Sequence, residues 1–119
     1  MNTTKWRELK KIISGLPFQP PYVIKEVDED ETSYHEFDQD VRFGGDWGLN
    51  LDNYLGGDIY ATPYFAVEWV KVRPRILQQQ GRLIPDKVID ETELFIEGLK
   101  KFNIPYEEDS GSIIIYGYR

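Results

Sequence analysis

Residues 64–73, YFAVEWVKVR, are the stretch of this sequence that decides its fold. β-Branched and aromatic side chains dominate the stretch, and a strand is expected to end at the proline that follows, because proline cannot donate to a sheet ladder. Side chains alternate between the two faces of a strand, which predicts that Phe65, Val67 and Trp69 share one face. Glu68 is then expected on the other face, among apolar residues. The stretch therefore predicts a central β-strand.

Upstream of this strand, apolar residues recur every three or four positions over Lys5–Leu16, with charged residues between them. This spacing predicts an amphipathic helix, and Thr3 or Thr4 is expected as its N-cap. Three prolines follow and favour an extended chain, leading into a predicted strand over Tyr22–Val27. A further short strand is expected at Val41–Phe43.

Downstream of the central strand, a second helix is predicted to begin at Asp90, which forms a capping box with Glu93, and to end at Asn103, a residue suited to a left-handed C-cap. Gly98 allows this helix to approach closely whatever it covers. The chain then turns at residues 109–112 between two apolar stretches, which predicts a terminal β-hairpin. The apolar stripe of the helix comprises Leu94, Phe95, Leu99 and Phe102.

These elements predict one α+β domain over residues 1–119, with two helices packed on one face of a mostly antiparallel sheet of four or five strands. The C-terminal helix precedes the β-hairpin. Residues 44–63 are rich in Gly, Asp, Asn and aromatic residues, and we expect a long structured loop or short strands there. Residues 74–89 are expected to form a connection.

The composition excludes several classes of function. The chain has no cysteine, so it has no thiolate nucleophile and no Cys-ligated metal. The net charge is −7, which argues against nucleic-acid binding, since that affinity comes largely from clustered Lys and Arg. No apolar run approaches the roughly 18 residues that span a bilayer, and no signal peptide is evident, so we expect a cytoplasmic protein without membrane contact.

The charge is concentrated in one segment, residues 26–40, EVDEDETSYHEFDQD, which holds eight acids and no Lys or Arg. The rest of the chain has 13 acids and 14 bases, so nearly the whole net charge belongs to this acidic segment. Such a segment is either a solvated loop or a docking surface that attracts a basic protein partner. Its eight acids are Glu26, Asp28, Glu29, Asp30, Glu31, Glu36, Asp38 and Asp40.

Aromatic residues interleaved with these acids favour the docking hypothesis, because aromatic anchors within a charged rim are typical of binding hot spots. The aromatic loop at residues 46–60 is expected to contribute to the same surface. The partner-binding residues predicted on this basis are Asp28, Glu29, Asp30, Glu31, Tyr34, Glu36, Phe37, Asp38, Trp47 and Tyr54.

The alternative hypothesis is a carboxylate-based hydrolase or a carbohydrate-binding domain. Glu68 would be its general acid, since burial among apolar residues raises a carboxyl pKa, and Trp47, Tyr54 and Tyr60 would stack on a sugar ring. A structural ion pair of Glu68 competes with that role. The second carboxylate would come from Asp46, Asp52 or Asp58, and the cation of the competing ion pair from Lys71, Arg73 or Arg75.

Other catalytic and ligand sites are poorly supported by the sequence. The only histidine, His35, lies in the acidic segment. No serine of the sequence lies in a Gly-x-Ser-x-Gly motif, the usual setting of a nucleophilic serine. Oxygen ligands at Asp46, Asn50, Asp52 and Asp58 do not follow the spacing of an EF-hand loop. Neither Gly-Gly pair has the context of a nucleotide-binding loop. We therefore expect no catalytic residues, no metal and no cofactor.

Four stretches carry a resemblance to a known family. They are KWREL at 5–9, VEWVKVRPR at 67–75, GRLI at 81–84 and the terminal IPYEEDSGSIIIYGYR at 104–119. The chain resembles a family of small bacterial proteins of unknown function, over nearly its whole length. By analogy, such small acidic proteins resemble immunity proteins, which neutralise a basic toxin by covering its active site.

The leading hypothesis is therefore a small acidic noncatalytic protein-binding module that docks a basic partner, and an immunity or inhibitor protein is its specific form. The three successive isoleucines at 113–115 favour pairing of the exposed edge of the terminal hairpin with a second chain, so a monomer and a homodimer both stay open.

Overall fold

The computed structural model describes residues 1–28, 39–57 and 61–118, which form two helices and eight strands. The helices are α1 (Thr3–Ser14) and α2 (Thr92–Lys101). The strands are β1 (Tyr22–Glu26), β2 (Tyr54–Leu55), β3 (Thr62–Pro63), β4 (Val67–Val72), β5 (Arg75–Gln78), β6 (Lys87–Asp90), β7 (Glu107–Asp109) and β8 (Ser112–Tyr116). The fold is built on a four-stranded antiparallel sheet with strand order β1-β4-β8-β7. Two short antiparallel ribbons, β2–β3 and β5–β6, accompany the sheet.

This arrangement confirms the predicted α+β class, with two helices, a mostly antiparallel sheet and a hairpin after the last helix. Both helices contribute apolar side chains to one core with the inner face of the sheet, where Val70 and Val72 are fully buried. The helices approach closely at Gly98, as predicted, because a Cβ there would lie 2.6 Å from Cγ2 of Ile12. The helical core residues are Trp6, Leu9, Ile12, Ile13, Phe95 and Leu99.

The central strand differs from its prediction in length and in the faces of its side chains. β4 begins at Val67, because a 3-10 helix occupies Tyr64–Ala66. Glu26 pairs with Val67 and Lys25 with Trp69, so Glu68 has no partner on β1 and forms a β-bulge. The extra residue reverses the alternation, and Val67 therefore faces the same core as Val70 and Val72.

Several local predictions are corrected. Residues 41–43 do not form a strand, although the carbonyl of Val41 accepts the N–H of Leu77 at 2.8 Å. The expected connection after the central strand instead forms the ribbon β5–β6, which extends to Asp90. Leu94 is exposed and does not join the core.

The helix and turn signals were predicted more closely. Asn2 is the N-cap of α1, where a threonine was expected, and its side chain accepts the N–H of Lys5. α2 begins one residue late, at Thr92, but Asp90 still supplies the capping oxygen to the N–H of Thr92 at 2.9 Å. Asn103 has the predicted left-handed conformation, with φ of 56°.

The two ends of the described chain meet. The ammonium of Met1 donates to the carbonyl of Gly117, just after β8. Within the described residues, no helix is long and apolar enough to cross a membrane.

Candidate functional site

The first and last residues of the acidic segment lie at opposite ends of β4. Glu26 pairs with Val67 at the start of β4, and Asp40 contacts Arg73, which follows the last residue of β4. Asp28 is exposed, whereas the carboxylate of Glu26 accepts the hydroxyl of Thr62 at 3.0 Å. Seven of the predicted site residues lie outside the described residues: Glu29, Asp30, Glu31, Tyr34, Glu36, Phe37 and Asp38.

Asp40 is neutralised by two arginines. Its Oδ1 accepts Nε of Arg73 at 2.9 Å, and its Oδ2 accepts Nη2 of Arg75 at 3.1 Å. Arg73 is buried and also donates to the carbonyl of Ser110 and the hydroxyl of Ser112. This carboxylate is therefore part of an internal ion-pair cluster and is not available to a partner.

A cluster of exposed apolar side chains lies where the acidic segment begins. Val27 is 50% exposed, Phe65 75% and Tyr118 53%. Hydrogen bonds bring the three residues near one another, since the N–H of Val27 donates to the carbonyl of Ala66 at 2.9 Å and the hydroxyl of Tyr118 donates to the carbonyl of Phe65. We call Val27, Phe65 and Tyr118 the Phe65 patch. The exposed Asp28 directly follows Val27 in the sequence.

The sequence reasoning missed the Phe65 patch because it assigned Phe65 to a regular strand. The 3-10 helix at Tyr64–Ala66 turns Phe65 outward while Tyr64 stays buried. The alternating pattern of residues 64–73 contains no signal for that turn.

The aromatic loop does not form the expected platform. Trp47 is only 1% exposed, and its Nε1 donates to the carbonyl of Pro20 at 2.8 Å. Its ring packs against Tyr22, with centroids 4.3 Å apart, so it belongs to the core and not to a surface that a ligand or partner touches. Tyr54 is exposed, as a partner-binding residue requires. Asp58 and Tyr60 lie outside the described residues.

Glu68 forms an ion pair, but with none of the predicted cations. It pairs with Lys25 on the adjacent strand β1, while Lys71 pairs with Asp109 at 3.1 Å and Arg73 with Asp40. The bulge places Glu68 on the outer side of the sheet, where its side chain is partly exposed. Nothing in this environment favours a general acid.

A depression with a volume of about 680 Å³ lies between the start of α2 and the β7–β8 turn. Its only cation among the described residues is Arg75, which Asp40 and, at 4.0 Å, Asp90 neutralise. The carboxylates that line it are Asp90, Glu91, Glu93 and Glu97. Acidic charge is thus also present outside the acidic segment.

A second depression, of about 250 Å³, lies against α1 and has the opposite charge. Arg7, Lys10 and Lys11 line it together with Asp52 and the buried Tyr64. The ammonium of Lys10 donates to the carbonyls of the 48–51 loop, and it lies 5.6 Å from the centre of the Tyr64 ring. Outside the acidic segment, acidic and basic residues are therefore nearly equal in number, but they are concentrated in different depressions.

Comparison with known proteins identifies a family and no activity. The model of a family of unknown function, DUF6678, matches residues 1–119. The chain belongs to that family. No curated protein and no solved structure matches this DUF6678 member.

Proposed function

We propose that this DUF6678 member is a noncatalytic protein-binding module that docks a basic protein partner. The docking surface consists of the Phe65 patch, Asp28 and the acidic residues that follow Asp28 in the sequence. The observation that carries the proposal is the exposure of three large apolar side chains directly beside the start of the acidic segment.

Charge and apolar area have separate roles at such a surface. Clustered carboxylates speed encounter with a basic partner and select for complementary charge. An exposed aromatic side chain with a charged rim supplies most of the affinity once it is desolvated. Phe65 is the anchor, because its side chain is the most exposed of the three in the patch.

Three arginines around the sheet are bound to carboxylates other than Asp28. Arg73 and Arg75 both bind Asp40, and Arg42 binds Asp86, which lies outside the segment. Among the described carboxylates of the segment, Asp28 is exposed and has no ion pair. An immunity or inhibitor protein, of bacterial origin and acting in the cytoplasm against a basic toxin, is the specific form of the proposal.

Binding to an immobilised chain tests the proposal. Because the chain has no cysteine, Gln80→Cys in the exposed connection between β5 and β6 gives a single attachment site outside the patch. A partner captured from the source cells is identified by mass spectrometry, and its affinity is then measured with purified components. We expect Phe65→Ala to weaken binding by about fivefold or more, the effect of losing roughly 1 kcal/mol at a hot spot.

Two matched controls make the test specific. Leu83→Ala removes an apolar side chain that is almost fully exposed on the β5–β6 connection, and it should leave affinity unchanged. Replacing Asp28, Glu29, Asp30 and Glu31 with Ser should weaken binding and reduce its salt dependence. Replacing Glu91, Glu93, Glu97 and Glu108 with Ser changes the net charge equally and should have little effect. A partner retained by the first charge variant, or lost equally by both, would overturn the proposal.

A further inference from the structure

The depression against α1 concentrates positive charge in a protein whose net charge is −7. Arg7, Lys10 and Lys11 are related by three- and four-residue steps, so they lie on one face of the helix. Opposite them, the 48–52 loop contributes a single carboxylate, that of Asp52. The charged groups of the lining therefore carry a net charge of +2.

Lys10 is a buried cation that forms no ion pair with the described residues. The residue is 7% exposed, and its ammonium donates to the carbonyls of Gly48 at 2.7 Å and Leu51 at 2.6 Å. Both acceptors are neutral, and among residues 1–28, 39–57 and 61–118 no carboxylate forms an ion pair with it. Burial lowers the pKa of Lys10, and the charge of Asp52 offsets this only in part. A buried charge compensated so incompletely is costly unless a counterion is supplied.

The two cations beside Lys10 are also free of carboxylate partners within the described part of the chain. Arg7 donates only a long bond, 3.4 Å, to the amide oxygen of Asn53. Both Arg7 and Lys11 are exposed at the mouth of the depression. The guanidinium fork and the ammonium groups therefore have donors to offer an anion that enters.

We propose that this depression binds a phosphate group, as inorganic phosphate or as a small phosphate monoester. A phosphate dianion matches the net charge of the lining, and its tetrahedral oxygens accept bonds from a guanidinium and from ammonium groups. The volume of about 250 Å³ exceeds that of a single phosphate, and Asp52 could accept a hydroxyl of the group esterified to it.

Titrations followed by ¹H–¹⁵N NMR test this proposal, with inorganic phosphate, glycerol 3-phosphate and acetate at constant ionic strength. We expect phosphate to shift the amides of α1 and of residues 48–52. Arg7→Gln and Lys11→Gln should each weaken binding roughly tenfold, as expected for losing a charge-assisted hydrogen bond. Lys100→Gln on α2 removes an exposed charge outside the depression and should leave the affinity unchanged.

The outcomes separate the ligands and the alternatives. Tighter binding of glycerol 3-phosphate identifies a monoester as the ligand class, whereas tighter binding of phosphate identifies the free ion. A rise in the pKa of Lys10 on adding phosphate, followed by ¹³C NMR, would place the anion at the buried ammonium. Equal binding of acetate, shifts spread over all lysine-bearing surfaces, or equal weakening by Lys100→Gln would overturn the proposal.

Discussion

The carboxylate of Asp40 forms ion pairs with both of the arginines that follow β4. Asp40→Asn leaves Arg73 buried without its anion, so we expect the free energy of unfolding to fall by about 2–3 kcal/mol. Asp86→Asn is the matched control, since its partner Arg42 is 66% exposed, and its cost should stay below about 1 kcal/mol. Urea denaturation measures both. Equal effects would show that Arg73 finds other acceptors.

We expect the phenol of Tyr22 to make the free energy of unfolding depend on pH in the alkaline range. Burial, assisted by the charge of Asp46, raises the pKa of Tyr22 from 10.0 to about 12. Because the folded state favours the neutral phenol, this contribution is complete below pH 10 and is lost as the pH rises through 12. The free energy of unfolding should therefore fall more steeply between those values in the native chain than in Tyr22→Phe. Parallel slopes in urea denaturation would contradict this assignment.

At the residue scale, the sequence predicts conformation better than environment. The left-handed Asn103 was recognisable, because asparagine followed by Ile-Pro is a local helix-stop signal. The pairing of Asp40 with Arg73, and the burial of Trp47 under Tyr22, join residues far apart in the chain. No local pattern specifies such contacts.

The contact between the two helices depends on the absence of a side chain at Gly98. Gly98→Ala places a Cβ 2.6 Å from Ile12, and the overpacking should cost about 1–3 kcal/mol. In an Ile12→Ala background the same change should stabilise the protein by up to about 1 kcal/mol, because alanine favours the helix. A double-mutant cycle measured by denaturation tests this reversal of sign. The same sign in both backgrounds would show that the helices move apart.

Among the elements, helices were easier to predict than strand register. α1 and α2 carry their own periodicity and capping residues, so their positions were correct to within two or three residues. The bulge at Glu68 is a property of the β1–β4 pair, and it is invisible in the sequence of either strand alone. The Phe65 patch was missed because the 3-10 helix at Tyr64–Ala66 interrupts a stretch that reads as a regular strand, whereas the acidic part of the docking surface was predicted from composition.

The whole molecule combines a four-stranded sheet under two helices with the separate ribbon β5–β6. β4 is paired on both edges, whereas each strand of the ribbon has one strand partner among the described residues. We expect the amides of Ile76 and Ile89 to exchange with solvent at least about tenfold faster than those of Val70 and Val72. Hydrogen exchange followed by NMR measures this. Equal protection would show that the ribbon unfolds only together with the sheet.

The contact between Met1 and Gly117 makes the protein suited to circular permutation. A short linker between the two ends, with new ends opened near Gln80, would give a circular permutant in which the ribbon strands become the terminal segments. The new ends would lie outside every strand of the main sheet and outside both helices, so none of these elements is interrupted in that permutant. A single added linker between the contacting ends would therefore give these elements a closed chain path.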